Sequence, residues 1–162
     1  MGTPSSGRAP GDVIIRTAVV DDIPQLGSFL CANEGEPWTL APEVIVQIEV
    51  PVWVVRAEAV VLVAERADVV VGVIAMTPQP RRPDVYLSQV LAVAHGHRRE
   101  RIGYSLKLAA MDRAHARGAV LVTSEVDGRN VAMLGCNDLF KAVKEPEPDD
   151  PTTLINAVKV AE

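Results

Sequence analysis

The sequence predicts a mixed α/β fold of the α+β type, a mixed, mostly antiparallel central sheet with helices packed on it. Two observations carry this. Helical and strand patterns alternate near both ends of the chain, yet three Val-rich strand patterns follow one another in the middle without a helix between them. That middle run excludes a purely parallel, doubly wound sheet. The length of 162 residues suits a single domain, expected over residues 13–162, with enough chain to bury a core without disulfides or metal.

The elements follow in order. Met1–Asp12, rich in Gly, Pro and Ser, reads as a disordered tail and lacks the apolar stretch of a targeting signal. Val13–Arg16 is a β-branched run and predicts a first strand. Asp21-Asp22 offers an N-cap, Pro24 fits a first turn, and Leu26, Phe29 and Leu30 recur at helical spacing, predicting a helix near Asp22–Asn33. Glu34–Thr39 reads as a loop. Pro42–Glu49 stays undecided between helix and strand, and Pro51 breaks that run. Ala59–Glu65 and Val69–Met76 predict a hairpin about Arg66-Ala67-Asp68. Pro78, Pro80 and Pro83 predict a rigid loop, and Val85–Val93 a strand whose Val85, Leu87, Gln89, Leu91 and Val93 form the more apolar face. After the polar turn His95–Glu100, a helix is expected from Arg101 to Arg117, stopped by Gly118. Val120–Val126 predicts a strand, Asn130–Val143 a helix, Glu145–Pro151 an acidic loop and Leu154–Val160 a last strand.

Composition narrows function. The formal net charge of −5 argues against a non-specific nucleic-acid binder. No apolar run reaches the ~18 residues of a membrane span. Cys31 and Cys136 stand far apart and read as free, buried thiols of a reducing compartment, so a cytoplasmic location is expected. His95 and His97 flank Gly96, but without a third ligand nearby no metal site is expected. Trp53 reads as core, and Trp38, in a loop with Glu34 and Glu36, as a contact for a cationic acceptor.

The most informative stretch is Val90–Leu106, a strand that runs through a short turn into a helix. Free amides at a helix start attract anions, and Arg98, Arg99 and Arg101 add positive charge to an acidic chain. Gly103 allows close approach of a ligand, or serves packing. A pyrophosphate suits such a turn.

Leu91-Ala92-Val93, Arg98-x-x-Arg101-x-Gly103 and Leu106 resemble motif A of the GCN5-related N-acetyltransferase (GNAT) family, Arg/Gln-x-x-Gly-x-Gly/Ala after a strand ending in Val. Ile15-Arg16-x-Ala18 with Asp21-Asp22, Val61–Glu65, Val69–Gly72, Ala119–Val126 and Asn130 resemble other family segments in the same order. The resemblance implies helices on both sheet faces and splayed fourth and fifth strands, with the pantetheine of acetyl-CoA lying between them. It implies that backbone groups near Leu91 and Val93 hold the pantetheine, that Arg98, Arg99, Glu100, Arg101, Ile102 and Gly103 take the pyrophosphate, that Tyr104 packs near it, and that Asn130 holds the arm. It implies acetyl transfer to a small-molecule or peptide amine by direct attack, with no metal, no nucleic acid or membrane partner, and homodimers common. An inactive acyl-CoA-binding or regulatory protein is the alternative.

Glu125, five residues before Asn130, resembles the glutamate that serves as base in ribosomal-protein N-terminal acetyltransferases of the family, or is a surface carboxylate on a strand. Ser88 and Gln89 stand where other members carry a glutamate, and either could order a water. Tyr86 reads as an acid or substrate contact, or as a buried aromatic with its hydroxyl satisfied. Two departures stand out. Arg101 fills the family's first glycine slot. The tyrosine expected about seven residues after Asn130 is Asn137 in one register and Phe140 in another.

Overall fold

The Val-rich middle of the chain forms the centre of a seven-stranded sheet in the order β1-β2-β3-β4-β5-β7-β6. This computed structural model describes residues 11–32, 50–98, 100–127 and 131–160. The strands are β1 Val13–Thr17, β2 Val60–Arg66, β3 Val69–Gln79, β4 Arg82–Val93, β5 Leu121–Asp127, β6 Val143–Glu147 and β7 Asp150–Lys159. The helices are α1 Ile23–Cys31, α2 Val50–Val55, α3 Ile102–Ala116 and α4 Val131–Asp138, with short 3-10 turns at Val20–Asp22 and His95–His97. Neighbouring strands are antiparallel except β4 and β5, which run parallel. None of the described helices is long and apolar enough to cross a membrane.

Each face of the sheet buries its own apolar set. Ile102, Leu106, Ala110 and Ala114 of α3 pack with Leu62, Ile74, Met76, Tyr86 and Val122 on one face. Leu26 and Leu30 of α1 and Trp53 of α2 pack with Val63, Val73, Val90 and Ala92 on the other. Gly72 is required where α3 crosses β3. A Cβ there would stand 2.9 Å from Leu106 Cδ1 and 3.3 Å from the Ala92 carbonyl oxygen.

Several expectations change. The hairpin turn is only two residues, Ala67 and Asp68, both left-handed at φ 50° and 63°, with Arg66 paired to Val69. Two left-handed turn residues match the strand twist. The proline-rich loop is instead a second hairpin, because Pro78 lies in β3, Pro83 in β4, and only Pro80 and Arg81 turn the chain. Pro51 lies in the first turn of α2 rather than stopping an element, and a missing N–H costs little there. The helix expected to reach Val143 ends at Asp138, and the acidic loop is the β6–β7 hairpin, giving one more strand than expected. Pro146 is accommodated because β6 is an edge strand. Asp22 does not cap α1 with its side chain. Its carboxylate accepts from Arg16 Nη1 and Nη2, both at 2.8 Å, and from the Val19 amide at 2.7 Å. Residues 1–10, Glu34–Thr39 with Trp38, and Pro42–Glu49 lie outside the described residues.

Candidate active site

The site begins at a break in the sheet. β4 and β5 share only three rungs, Val85–Leu121, Tyr86–Val122 and Leu87–Thr123. Beyond them Ser88–Val93 pairs with β3 on one side, and Ser124–Asp127 with β7 on the far side. The strands therefore part toward their C-terminal ends, which opens a gap between them.

A bulge in β4 shapes this gap. Ala75 pairs with Val90 but Met76 with Ser88, so Gln89 is the extra residue. An inserted residue reverses the alternation. Tyr86 therefore shares the α3 face with Leu91 and Val93, while Val90 and Ala92 face α1 and α2. The simple alternation expected for Val85–Val93 does not hold. Gln89 itself donates to Thr77 Oγ1 at 2.9 Å.

At the open end, β4 passes through the His95–His97 turn into α3. Arg101 is the N-cap residue of α3, at φ 62° and ψ 22°, and its side chain makes no capping bond and is exposed. The first-turn amides of α3 lack intrahelical acceptors and point out of the helix end. A Cβ on Gly103 would meet Val93 Cγ2 at 3.5 Å and Leu91 Cδ2 at 4.0 Å, ordinary contacts, so packing does not demand this glycine. Arg98 Nε donates to the Val93 carbonyl at 3.1 Å, tying the turn to the end of β4.

Glu100, the acidic residue of the turn that leads into α3, is neutralised from outside. Arg66 at the β2–β3 hairpin donates to both its oxygens, at 3.0 and 3.1 Å, to Asp12 at 3.0 Å, and stands 2.7 Å from His97 Nδ1. The Arg66 guanidinium holds the Glu100 carboxyl below the usual carboxylate range. This cluster takes up His97.

The other expected residues divide. Tyr86 is buried, and its hydroxyl donates to the Glu58 carbonyl at 2.9 Å, with its pKa raised by burial. This geometry supports the core reading of Tyr86 and not a role in proton transfer. Ser88 lies on β4 just past the last β4–β5 rung, half-buried. Glu125 is exposed on β5, and alternation puts it on the face opposite Val122 and Ser124, the side of α1 and α2. Leu91 and Val93 line the gap under Gly103. Tyr104 stacks on Phe140, with ring centroids 4.8 Å apart. Arg99 and Asn130 lie outside the described residues.

Sequence reasoning missed Lys107. It is 1% exposed in the middle of α3, and its Nζ donates to Asn137 Oδ1 of α4. Asn137 Nδ2 donates in turn to Ser124 Oγ at 3.5 Å. The one available signal was Asn137 in place of the expected phenol.

The family model described as "Acetyltransferase (GNAT) family" matches residues 24–137. No curated protein matches the chain. Solved structures match along nearly their whole length. An acetyltransferase of the GNAT family from Streptococcus pneumoniae is 17% identical at a TM-score of 0.74, covering 92% of this chain and 99% of that one. The diaminobutyrate acetyltransferase of Paenibacillus lautus, in complex with L-2,4-diaminobutyric acid and coenzyme A, is 17% identical at 0.69, covering 96% and 98%. The ribosomal-protein-alanine N-acetyltransferase of Brucella melitensis is 20% identical at 0.68, covering 90% and 98%. The shared architecture includes the mostly antiparallel sheet with its one parallel pair.

Proposed function

The chain belongs to the GNAT family of acetyltransferases and is an acyltransferase, and from that premise we propose that it moves an acetyl group from acetyl-CoA to an amine by direct attack in a ternary complex. The observation that carries this is the parting of β4 from β5 after Leu87 and Thr123, with the open end facing the uncapped start of α3. Backbone groups of Leu91 and Val93 lie along that gap to pair with the pantetheine and aim a donor at the thioester oxygen. The turn from Arg98 to Gly103 supplies amides and positive charge to the pyrophosphate. Tyr104, braced by Phe140, packs beside it, and Asn130 is assigned to the pantetheine arm.

The amine must shed a proton before it attacks. Glu125 is the proposed base, because it lies on β5 beyond the last β4–β5 rung and on the side of the gap away from α3. Ser88, on the α3 side at the closed end of the gap, is proposed to order a water there. The acceptor is a small-molecule or peptide amine, as for the diaminobutyrate and ribosomal-protein-alanine enzymes named above. The protein is proposed to work in the cytoplasm and without metal.

The test is calorimetric titration with acetyl-CoA and CoA, followed by a panel of amines scored by thiol release. Binding in a one-to-one ratio and release with at least one amine is expected. Binding without release from any amine would leave an acyl-CoA-binding protein, and no binding would sink the reading. With an active amine in hand, Glu125→Gln is expected to lower turnover and move the acid limb of its pH profile. An unchanged profile removes Glu125 from the mechanism.

A further inference from the structure

A buried, ordered set of polar groups sits at the closed end of the gap. Ser124 is the first β5 residue past the last rung with β4, and its side chain faces the α3 side, 6% exposed. The bonds run in one direction. The Lys107 ammonium donates to Asn137 Oδ1, and Asn137 Nδ2 donates to Ser124 Oγ. Ser124 thus accepts within the chain, and its own hydrogen is left to donate elsewhere. Such chains polarise each member toward the end group. Asn156 of β7 is the register partner of Ser124, and its Oδ1 is buried with no partner among the described residues. The set is therefore not satisfied within itself, and a buried orphan acceptor calls for a donor, which an amide N–H of an entering pantetheine arm would supply.

A buried ammonium is costly for a packed core, and an apolar residue of similar size is often no worse for stability. Here it is 1% exposed and bonded to a neutral amide rather than a carboxylate. That arrangement leaves net positive charge for an anion nearby. An acyl-CoA whose phosphates lie at the start of α3 and whose arm enters between β4 and β5 brings its sulfur to this closed end.

We propose that Ser124 donates a hydrogen bond to the departing CoA sulfur, with Lys107 as the positioning residue whose charge, transmitted through Asn137, stabilises the thiolate. The proposal rests on the acyl-CoA reading above. In the step it serves, the amine nitrogen bonds the acetyl carbon and loses a proton to the base. The C–S bond breaks with its electron pair on sulfur. The thiolate then takes a proton from solvent, and the ammonium of Lys107 stays as it was.

Burial pulls the Lys107 pKa below its ordinary value, opposed by the Cys136 thiol, the titratable group that faces it from α4. Ser124 of β5 and Asn156 of β7 do not ionise near neutrality. Tyr104 on α3 is stacked on Phe140, Tyr86 of β4 donates to Glu58, and Lys144 of β6 is paired with Asp138. The charge beside the sulfur is thus that of Lys107 and is lost when Lys107 deprotonates.

The experiment is a direct titration of CoA bound to the full-length protein, following the ultraviolet absorbance of its thiolate. In the wild type the thiol of bound CoA is expected to ionise at lower pH than free CoA. Lys107→Met and Ser124→Ala should each raise that midpoint by about one pH unit, and cut kcat about tenfold or more while KM for acetyl-CoA changes little. Because Lys107→Met orphans Asn137, the pair Lys107→Met with Asn137→Leu is measured beside it and should show the same rise. CoA binding with a midpoint unchanged in all three variants overturns this proposal alone. A wild type that does not bind CoA overturns the acyl-CoA reading and this proposal with it.

Discussion

Arg101 adopts a left-handed backbone at φ 62°, a conformation that costs an L-residue about 1–2 kcal/mol. The resemblance places a glycine in that slot, and the geometry supplies the reason. The chain must reverse sharply to aim the α3 amides outward, and glycine does so without strain. Arg101 pays with backbone energy and keeps its charged side chain in solvent. Gly103 is different, since a Cβ there makes only ordinary contacts with Val93 and Leu91. Gly103→Ala is therefore expected to fold and to bind CoA like the wild type. Gly103→Glu sets a carboxylate at the proposed pyrophosphate and should weaken binding by about tenfold or more, roughly 1.4 kcal/mol. Calorimetry on the two variants checks this, and equal affinity in both refutes the placement. Asp22 offers a residue-scale test of stability. Its hydrogen bonds from Arg16, opposed by burial and aided by the Val19 amide, lower its pKa. Its contribution is fully present above the ordinary carboxylate range and is lost as pH falls through the depressed folded value. Asp22→Asn should cost about 1–3 kcal/mol at pH 7, and its urea midpoint should converge on the wild type in acid. A constant difference across that window would show that Asp22 acts without its charge.

At the scale of elements, Gly72 controls how closely α3 lies on the sheet. Gly72→Val would drive branched carbons into Leu106, Ile102 and the Ala92 carbonyl. Overpacking of this kind costs about 1–3 kcal/mol, so its unfolding free energy in urea should fall by that amount, seen as a lower midpoint with the m-value kept. A midpoint like the wild type would mean that α3 moves away freely. The elements that sequence alone made legible are those with one strong pattern, such as the β2–β3 hairpin and α3 with its stop at Gly118. The misreadings share a cause, because local residue chemistry was outvoted by position in the sheet. Pro83 falls in an irregular stretch of β4, where Pro78 pairs with Tyr86 but Gln79 with Arg82, so its missing N–H breaks no rung. Pro146 is tolerated on the edge strand β6. The bulge at Gln89 has no sequence mark, yet it decides which side chains of β4 face α3. The same contrast runs through the candidate site. The α3 turn was legible because arginines and a glycine advertise it. Lys107 was not, because a lysine in a helix reads as solvated unless its partner Asn137, 30 positions away, is seen beside it.

For the whole molecule, the parting of β4 and β5 divides the sheet into two lobes that share three rungs. β1–β4 carry α1, α2 and most of α3's contacts, and β5–β7 form the second lobe. A ligand lying between β4 and β5 would bridge the two lobes much as a missing strand would, so its binding and the stability of the fold are linked. At a hundred times its dissociation constant, acetyl-CoA should add about 2.7 kcal/mol to unfolding. For a chain of this size that corresponds to a rise in Tm of about 5–10 °C. Desulfo-CoA, which keeps the pyrophosphate and most of the arm, should give most of the rise. Adenosine diphosphate, which carries a pyrophosphate but cannot reach between the strands, should give much less at the same concentration. Equal shifts from adenosine diphosphate and acetyl-CoA would confine binding to the α3 turn and leave the gap unused. A graded response would show that the arm joins the lobes, because only a ligand that enters the gap makes contacts that separation of the two lobes must break.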